Sequence, residues 1–136
     1  MAKITRIDHI AVLVDDLDKT LEFWQDGLGM ELSHVEDVSA EKSIVAFLPV
    51  GGSEVELVKP TTDDSGLARY LEKRGPGMHH ICLEVDDLEG MLARLKEKGI
   101  QLINESPLSG FGGKRYAFVH PKSANGVMVE LYELPK

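Results

Sequence analysis

The chain has a single cysteine, Cys82, among its 136 residues, so it cannot form an internal disulfide. A lone cysteine is typical of proteins in the reducing cytoplasm, which is the compartment we expect. No apolar run approaches the roughly 18 residues that a membrane-spanning helix requires, so we expect no membrane association. The N-terminus enters a strand pattern at Ile4, so we expect no cleaved signal peptide.

Basic residues are in the minority. The chain has 15 lysines and arginines against 23 aspartates and glutamates, which gives a formal net charge of −8. Proteins that bind nucleic acids present a basic surface, so this balance argues against nucleic acid as a partner. An anionic small molecule can still bind where basic residues are concentrated locally. The hydrophobic content of 43% is ordinary for one globular domain.

One stretch of the sequence occurs twice. The residues Asp8–Leu17, DHIAVLVDDL, return as His79–Leu88, HHICLEVDDL, so that His9 corresponds to His80, 71 positions later. Further along, Glu56 corresponds to Glu130, 74 positions later, with three extra residues in the intervening loop. A fixed-period match indicates two similar structural modules, each of which contributes one histidine and one glutamate.

The pattern of apolar residues predicts the same element order in both modules. The first module, about residues 4–60, reads as a strand, a helix and three strands at 4–14, 17–26, 30–37, 43–49 and 53–59. A linker with a short helix at 66–74 occupies about 61–76. The second module, about 77–134, repeats the order at 78–85, 87–98, 100–104, 115–119 and 126–133. We therefore predict one α+β domain, residues 1–136, made of two βαβββ modules.

Strand alternation places four residues of metal-ligand type on one face of this sheet. The opposite face is aliphatic, for example at Ile10, Val12 and Val14, and must be covered by the helices. Imidazole nitrogen and carboxylate oxygen suit borderline divalent ions such as Zn, Co, Ni, Mn or Fe(II). Two ionised carboxylates on a half-buried face are costly unless they are paired or bound to metal. The sequence therefore predicts a metal site with the ligands His9, Glu56, His80 and Glu130.

Each of these residues also has an ordinary structural interpretation. A single strand histidine is more often a satisfied core residue, and a single glutamate is more often solvated, so the prediction depends on the four positions being equivalent in the repeat. Cys82 is better interpreted as a small core residue than as a fifth ligand. The paired aspartates 15–16 and 86–87 precede the helices, which favours helix caps over catalytic carboxylates.

The chain resembles the vicinal oxygen chelate superfamily and, within it, the methylmalonyl-CoA epimerases. The resemblance spans essentially the whole chain and is carried by the motifs DHIAV at 8–12, FLPVG at 47–51, EVEL at 54–57, HHI at 79–81 and the run from GGKR at 112–115 through HPKS at 120–123 to Leu131. It implies a U-shaped, partly closed mixed sheet around the metal, often in a homodimer. It assigns the metal ligands to the four residues named above and favours cobalt, with zinc, nickel and manganese as alternatives.

The resemblance also implies an activity, the interconversion of (2R)- and (2S)-methylmalonyl-CoA through a metal-stabilised enolate. Glu130 is implied as one base. Val45 stands where some family members carry the second base, which leaves Glu41, Glu84, a water or another ligand carboxylate as alternatives. Basic loop residues, with a neighbouring serine, would bind the anionic acyl-CoA. These are Lys114, Arg115, Lys122 and Ser123.

Three other functions share this fold. Glyoxalase I, a lyase acting on the hemithioacetal of methylglyoxal and glutathione, can use the same ligand types, and only the GGKR and HPKS loops favour the epimerase over it. A metal-free binding protein of the bleomycin-resistance kind would not need two buried carboxylates. An extradiol dioxygenase would use two histidines and one carboxylate, so Glu56 counts against it.

Overall fold

The computed structural model describes the backbone of residues 1–136 and every side chain except that of Phe111. The strands are β1 (Ile4–Leu13), β2 (His34–Val38), β3 (Ser43–Val50), β4 (Ser53–Pro60), β5 (Gly77–Val85), β6 (Leu108–Ser109), β7 (Arg115–Val119) and β8 (Met128–Glu133). The helices are α1 (Leu17–Leu21), which continues as a π-helical segment (Glu22–Gly27), α2 (Gly66–Arg74) and α3 (Leu88–Glu97). None of the described helices is long and apolar enough to cross a membrane.

The eight strands belong to a mixed sheet with the order β2-β3-β4-β1-β5-β8-β7-β6. The elements β1, α1, β2, β3 and β4 form one βαβββ series, and β5, α3, β6, β7 and β8 form the other. The predicted α+β class and the two modules are therefore confirmed. The U-shaped closure of the sheet stays a prediction.

The chain folds as two compact units. The first unit comprises residues 9–79, and the second comprises residues 1–8 and 80–136. The N-terminal residues are held in the second unit by hydrogen bonds to the end of β5. The Lys3 amide donates to Asp86 Oδ1 at 2.8 Å, and the Asp86 amide donates to the Lys3 carbonyl at 3.2 Å. The chain passes between the units twice, at residues 8–9 within β1 and at residues 79–80 within β5.

In the first unit, β1 is parallel to β4, and β3 is antiparallel to both β4 and β2. One face of these strands packs against Leu17, Leu21 and Trp24 of the first helix and its extension. The buried residues of this face are Val14, Ala46, Leu48 and Leu57. The opposite face carries a second buried cluster, Ala11, Leu13, Val45 and Val58, which packs against α2. The predicted division of the faces is confirmed, but the covering of the second face by α2 was not predicted.

In the second unit, β5 is parallel to β8, and β7 is antiparallel to both β8 and β6. Leu88, Met91 and Leu92 of α3 pack on the aliphatic face of these strands, as the sequence predicts. The Asp87 carboxylate accepts a hydrogen bond from the Gly90 amide at 3.0 Å, and Asp16 accepts from Lys19 in the same way in the first unit. Both aspartates are therefore helix N-caps, which confirms that prediction.

The strand predicted at 100–104 is wrong. Leu102 forms only an isolated bridge with Val119. Beyond it, the Asn104 side-chain oxygen accepts from the Phe118 amide at 2.9 Å, where a strand would offer its backbone carbonyl. Because a side chain takes this ladder position, regular pairing stops. It resumes only in the two-residue strand β6, after Pro107.

Candidate metal centre

The first unit contains a close imidazole–carboxylate pair formed by His9 and Glu56. In the parallel pairing of β1 and β4, Ala11 lies opposite Glu56, so the two side chains are diagonal neighbours on one face. His9 Nδ1 lies 3.3 Å from Glu56 Oε2, and the side chains are 7% and 17% exposed. Both polar groups are therefore largely removed from water, in a place where they have each other as partners.

The second unit contains the equivalent pair, His80 and Glu130. In the parallel pairing of β5 and β8, Cys82 lies opposite Glu130, the same diagonal offset as in the first unit. His80 Nε2 lies 3.2 Å from Glu130 Oε1, with side-chain exposures of 14% and 9%. The repeat in the sequence is therefore also a repeat of register, burial and distance.

A phenylalanine flanks each glutamate on the antiparallel side. Phe47 of β3 lies opposite Glu56, and Phe118 of β7 lies opposite Glu130. The His80 ring meets the Phe118 ring edge to face, with 5.8 Å between centroids. These rings keep part of the surroundings of each carboxylate apolar, which strengthens electrostatic interactions there.

The donors of the two pairs fit a divalent metal ion. Each pair offers one imidazole nitrogen and one carboxylate oxygen, the ligand types that borderline dications prefer. A buried carboxylate also requires compensation by positive charge, and a dication supplies it more fully than a neutral imidazole does. Each unit holds half of the predicted ligand set, and the meeting of the two halves at one ion stays a prediction.

Cys82 is fully buried beside Glu130 in the sheet. Burial, followed by the nearby Glu130 carboxylate, raises the pKa of the Cys82 thiol. A raised pKa favours the neutral thiol. This agrees with the predicted role of a small core residue.

Lys114 reaches the carboxylate of Glu130. Its ammonium lies 3.8 Å from Glu130 Oε2 and 4.7 Å from the centre of the Tyr132 ring. The sequence predicts this lysine as part of a basic loop for coenzyme A. The structure places it at the His80–Glu130 pair instead of on an open surface.

The other three predicted acyl-CoA ligands lie elsewhere in the second unit. Arg115 Nη2 lies 2.7 Å from Glu89 of α3, and this hydrogen bond raises the pKa of the guanidinium. The Ser123 hydroxyl accepts from the Gln101 amide at 2.9 Å. Arg115 therefore links β7 to α3, and Ser123 links the 3₁₀ turn Pro121–Ser123 to Gln101, whereas Lys122 is exposed to solvent.

The candidates for a second base differ in their surroundings. The position of the family base is apolar, because Val45 is buried with Ala11, Leu13 and Val58. Glu41 is exposed and ends a 3₁₀ turn before β3, six residues from Phe47, which lies opposite Glu56. The four residue steps of β3 from Ser43 to Phe47 alone span about 13 Å, which separates Glu41 from Glu56 along the strand.

Glu84 is held by its neighbours in the second unit. Thr5 Oγ1 donates to Glu84 Oε2 at 2.6 Å, and Arg6 Nε donates to Oε1 at 3.2 Å. The hydrogen bond from Thr5, together with Arg6, lowers the pKa of the Glu84 carboxyl. A carboxylate with a lowered pKa is a weaker proton acceptor, which disfavours Glu84 as a base.

A polar network next to this carboxylate was missed at the sequence level. The Tyr132 hydroxyl donates to Asp8 Oδ1 at 2.6 Å, and Arg6 Nη2 donates to the same oxygen at 2.6 Å. The sequence repeat does not predict this network, because the positions equivalent to Asp8 and Tyr132 hold His79 and Val58. Only the register of the folded strands brings these residues together.

Comparisons with known proteins place the chain in a family. The model of the glyoxalase/bleomycin resistance protein/dioxygenase superfamily matches residues 8–118. The uncharacterised protein YqjC of Bacillus subtilis is 38% identical over 96% of this chain and 93% of its own length. The mitochondrial methylmalonyl-CoA epimerase of Mus musculus is 38% identical over 95% of this chain and 73% of its own length.

A solved structure extends the likeness to the fold. A variant of Streptomyces coelicolor methylmalonyl-CoA epimerase in complex with 2-nitronate-propionyl-CoA is 35% identical, with a TM-score of 0.84. The match covers 97% of this chain and 96% of that one. The chain therefore belongs to the glyoxalase/bleomycin resistance protein/dioxygenase superfamily, the vicinal oxygen chelate proteins, and within it is closely related to the methylmalonyl-CoA epimerases.

Proposed function

We propose that the protein is a metal-dependent epimerase that interconverts (2R)- and (2S)-methylmalonyl-CoA. The observation that carries the proposal is the repeated imidazole–carboxylate pair, His9–Glu56 and His80–Glu130, in a chain 38% identical to a methylmalonyl-CoA epimerase. These four residues would hold one ion of cobalt, zinc, nickel or manganese. When bound, the ion stabilises negative charge on the thioester oxygen of the substrate.

Glu130 is the group that we assign to removal of the proton from C2, the carbon between the thioester and the carboxylate. Its carboxylate is 9% exposed and is bordered by His80, Phe118 and Lys114, so little water competes for it. A positioned carboxylate in such a place typically contributes a factor of about 10² to 10⁴ to proton transfer.

We assign return of the proton on the opposite face to Glu56. Inversion at C2 requires one group on each side of the carbon. Glu56 is the repeat equivalent of Glu130, with the same register, a phenylalanine neighbour and an imidazole at nearly the same distance. Glu84 is disfavoured by the hydrogen bonds that it accepts from Thr5 and Arg6, and Glu41 by its distance along β3.

The resulting cycle balances its protons. In one direction, Glu130 takes the C2 proton, and protonated Glu56 delivers a proton to the other face. In the reverse direction the two residues exchange roles. Exchange with solvent resets each carboxyl group, so deuterium from heavy water must enter at C2.

An isotope experiment tests the proposal. Cobalt-loaded protein is incubated with (2S)-methylmalonyl-CoA in deuterated water, and deuterium at C2 and the configuration of the product are followed. We expect deuterium incorporation with formation of the 2R form. E22Q, which alters an exposed carboxylate of the helix extension, is the matched control and should keep full activity. Absence of exchange, with turnover of the glutathione hemithioacetal, would identify a lyase instead.

A further inference from the structure

We propose that Lys114 binds the free carboxylate of the acyl group and so selects dicarboxylic acyl thioesters over monocarboxylic ones. This inference rests on the proposed function. It differs from the expectation for the basic loops, which was that their lysines bind the phosphates of coenzyme A.

The position of the ammonium supports the inference. Lys114 Nζ lies 3.8 Å from Glu130 Oε2, which is beyond hydrogen-bonding distance. The Lys114 ammonium is close enough to be attracted by the Glu130 carboxylate, but it donates no hydrogen bond to that carboxylate. A second anion placed beside Glu130 would therefore find an ammonium already oriented toward it.

The N–H donors of the Lys114 ammonium can bind a further anion. Within the part of the chain that the structure describes, its contacts are the Glu130 carboxylate and the faces of Tyr132 and Tyr116, at 4.7 and 6.0 Å. An ammonium group has three N–H donors, and rings satisfy none of them as a carboxylate would. The side chain is 32% exposed, so a ligand can reach it.

The supporting ring is itself fixed. The Tyr132 hydroxyl donates to Asp8 Oδ1 at 2.6 Å, and Tyr132 is 4% exposed. Lys114 therefore stacks on a ring that is anchored at its far end. A lysine packed in this way loses less side-chain freedom on binding an anion than a solvated lysine does.

The ligand is the acyl carboxylate because of where Lys114 lies. Glu130 must contact the C2 proton in the proposed reaction, and the substrate carboxylate is bonded directly to C2. The phosphates of coenzyme A are separated from C2 by the whole pantetheine arm. A lysine adjacent to Glu130 can therefore reach the carboxylate but not the phosphates.

Binding measurements with two thioesters test this assignment. Malonyl-CoA carries the acyl carboxylate, whereas propionyl-CoA lacks it, and both carry the same coenzyme A. In K114M we expect malonyl-CoA to bind about 10-fold or more weakly, the size of a lost charged hydrogen bond. Propionyl-CoA should bind as it does to the unaltered protein, and K114R should recover part of the loss. K96M, at an exposed lysine of α3, is the matched control.

The outcomes separate this inference from the proposed function. Equal weakening of both thioesters in K114M would assign Lys114 to coenzyme A and overturn the inference, as would no change in either. Thermal unfolding and cobalt content of K114M check that the fold and metal binding are kept. Because binding does not require turnover, a failed isotope exchange would reject the epimerase while leaving the test of Lys114 valid.

Discussion

Two glutamates of the second unit show how neighbours set the behaviour of a residue. Glu84 accepts hydrogen bonds from Thr5 and Arg6, which fix it as a structural carboxylate between β1 and β5. Glu130 faces an imidazole at 3.2 Å and an ammonium at 3.8 Å. The residue type is the same, but the bonding differs.

We predict that E84Q makes the protein less stable at neutral pH. The pKa of Glu84 is lowered in the folded state, so its contribution is present above the unfolded carboxyl pKa, about 4.3, and is lost as the pH falls through the folded value. We expect a loss of about 1–2 kcal/mol at pH 7 that shrinks toward pH 3. Urea unfolding at both pH values measures it, with E97Q on the surface of α3 as control. A difference that does not change with pH would contradict the assignment.

We predict that E130Q and E56Q separate exchange from inversion. Each variant keeps one of the two proposed acid–base groups, so one enantiomer should still exchange its C2 proton in deuterated water without changing configuration. Epimerisation should fall by about 10²-fold or more in both. Proton NMR with chiral analysis of the thioester follows both readouts. If E56Q epimerises at the normal rate, the second base is another group.

The alternation of side chains along the strands predicted the four candidate ligands, because each pair is made by residues of fixed spacing on paired strands. The repeat supported this prediction, because it places a second histidine and glutamate at positions equivalent to the first pair. Contacts between residues distant in sequence, such as Tyr132 with Asp8, follow no such period. The position of Lys114 beside Glu130 also depends on strand register. The sequence around Lys114 indicates only a basic loop.

At the scale of elements, α2 makes the two units different. It is predicted correctly as residues 66–74, but the apolar pattern does not show which face of the sheet it covers. Leu67, Tyr70 and Leu71 pack on the cluster that contains Val45, on the same face as His9 and Glu56. The helix therefore closes one end of the face that carries the first pair.

We predict that L71A destabilises the protein by about 1–2 kcal/mol, since a half-buried leucine loses part of its packing against this cluster. L28A is the matched control, because Leu28 is 56% exposed, and it should change stability by less than about 0.5 kcal/mol. Denaturant unfolding measures both. Equal effects of the two substitutions would show that α2 does not stabilise the site face.

The boundaries of most elements follow from the sequence because caps and glycines mark them. The helix at Leu88–Glu97 begins after the predicted cap, Asp87, and the chain turns at Gly99 with a φ of 76°. The strand predicted at residues 100–104 does not form for a local reason, since the side-chain oxygen of Asn104 replaces a backbone acceptor. A side chain that replaces a backbone acceptor leaves the pattern of apolar residues unchanged. That pattern therefore cannot predict the interruption of the strand.

At the scale of the whole molecule, each unit supplies half of the proposed ligand set. An ion bound to both pairs would stabilise the folded chain over the unfolded one. The resemblance to the vicinal oxygen chelate proteins predicted this arrangement, and membership of that superfamily is confirmed. The metal and its four ligands are predictions that metal binding can test, and the homodimer stays a prediction.

We predict that cobalt raises the unfolding temperature of the protein and that a chelator reverses the effect. At about 100 times the dissociation constant, an ion that binds only the folded state adds about 2.7 kcal/mol, equivalent to several degrees. H9A and H80A should each lose the shift, although the two histidines belong to different units. H34A, at an exposed histidine, should keep it. A shift that survives in H9A or in H80A would reject the four-ligand site.

The division of strand β1 between the two units affects how the protein behaves after proteolytic cleavage. Its first residues, through Asp8, fold with residues 80–136, and its remainder folds with residues 9–79. A protease that nicks the exposed stretch 61–64 leaves this strand intact. The N-terminal fragment then still carries a piece of both folding units. The two fragments should therefore co-purify under native conditions and separate only in denaturant.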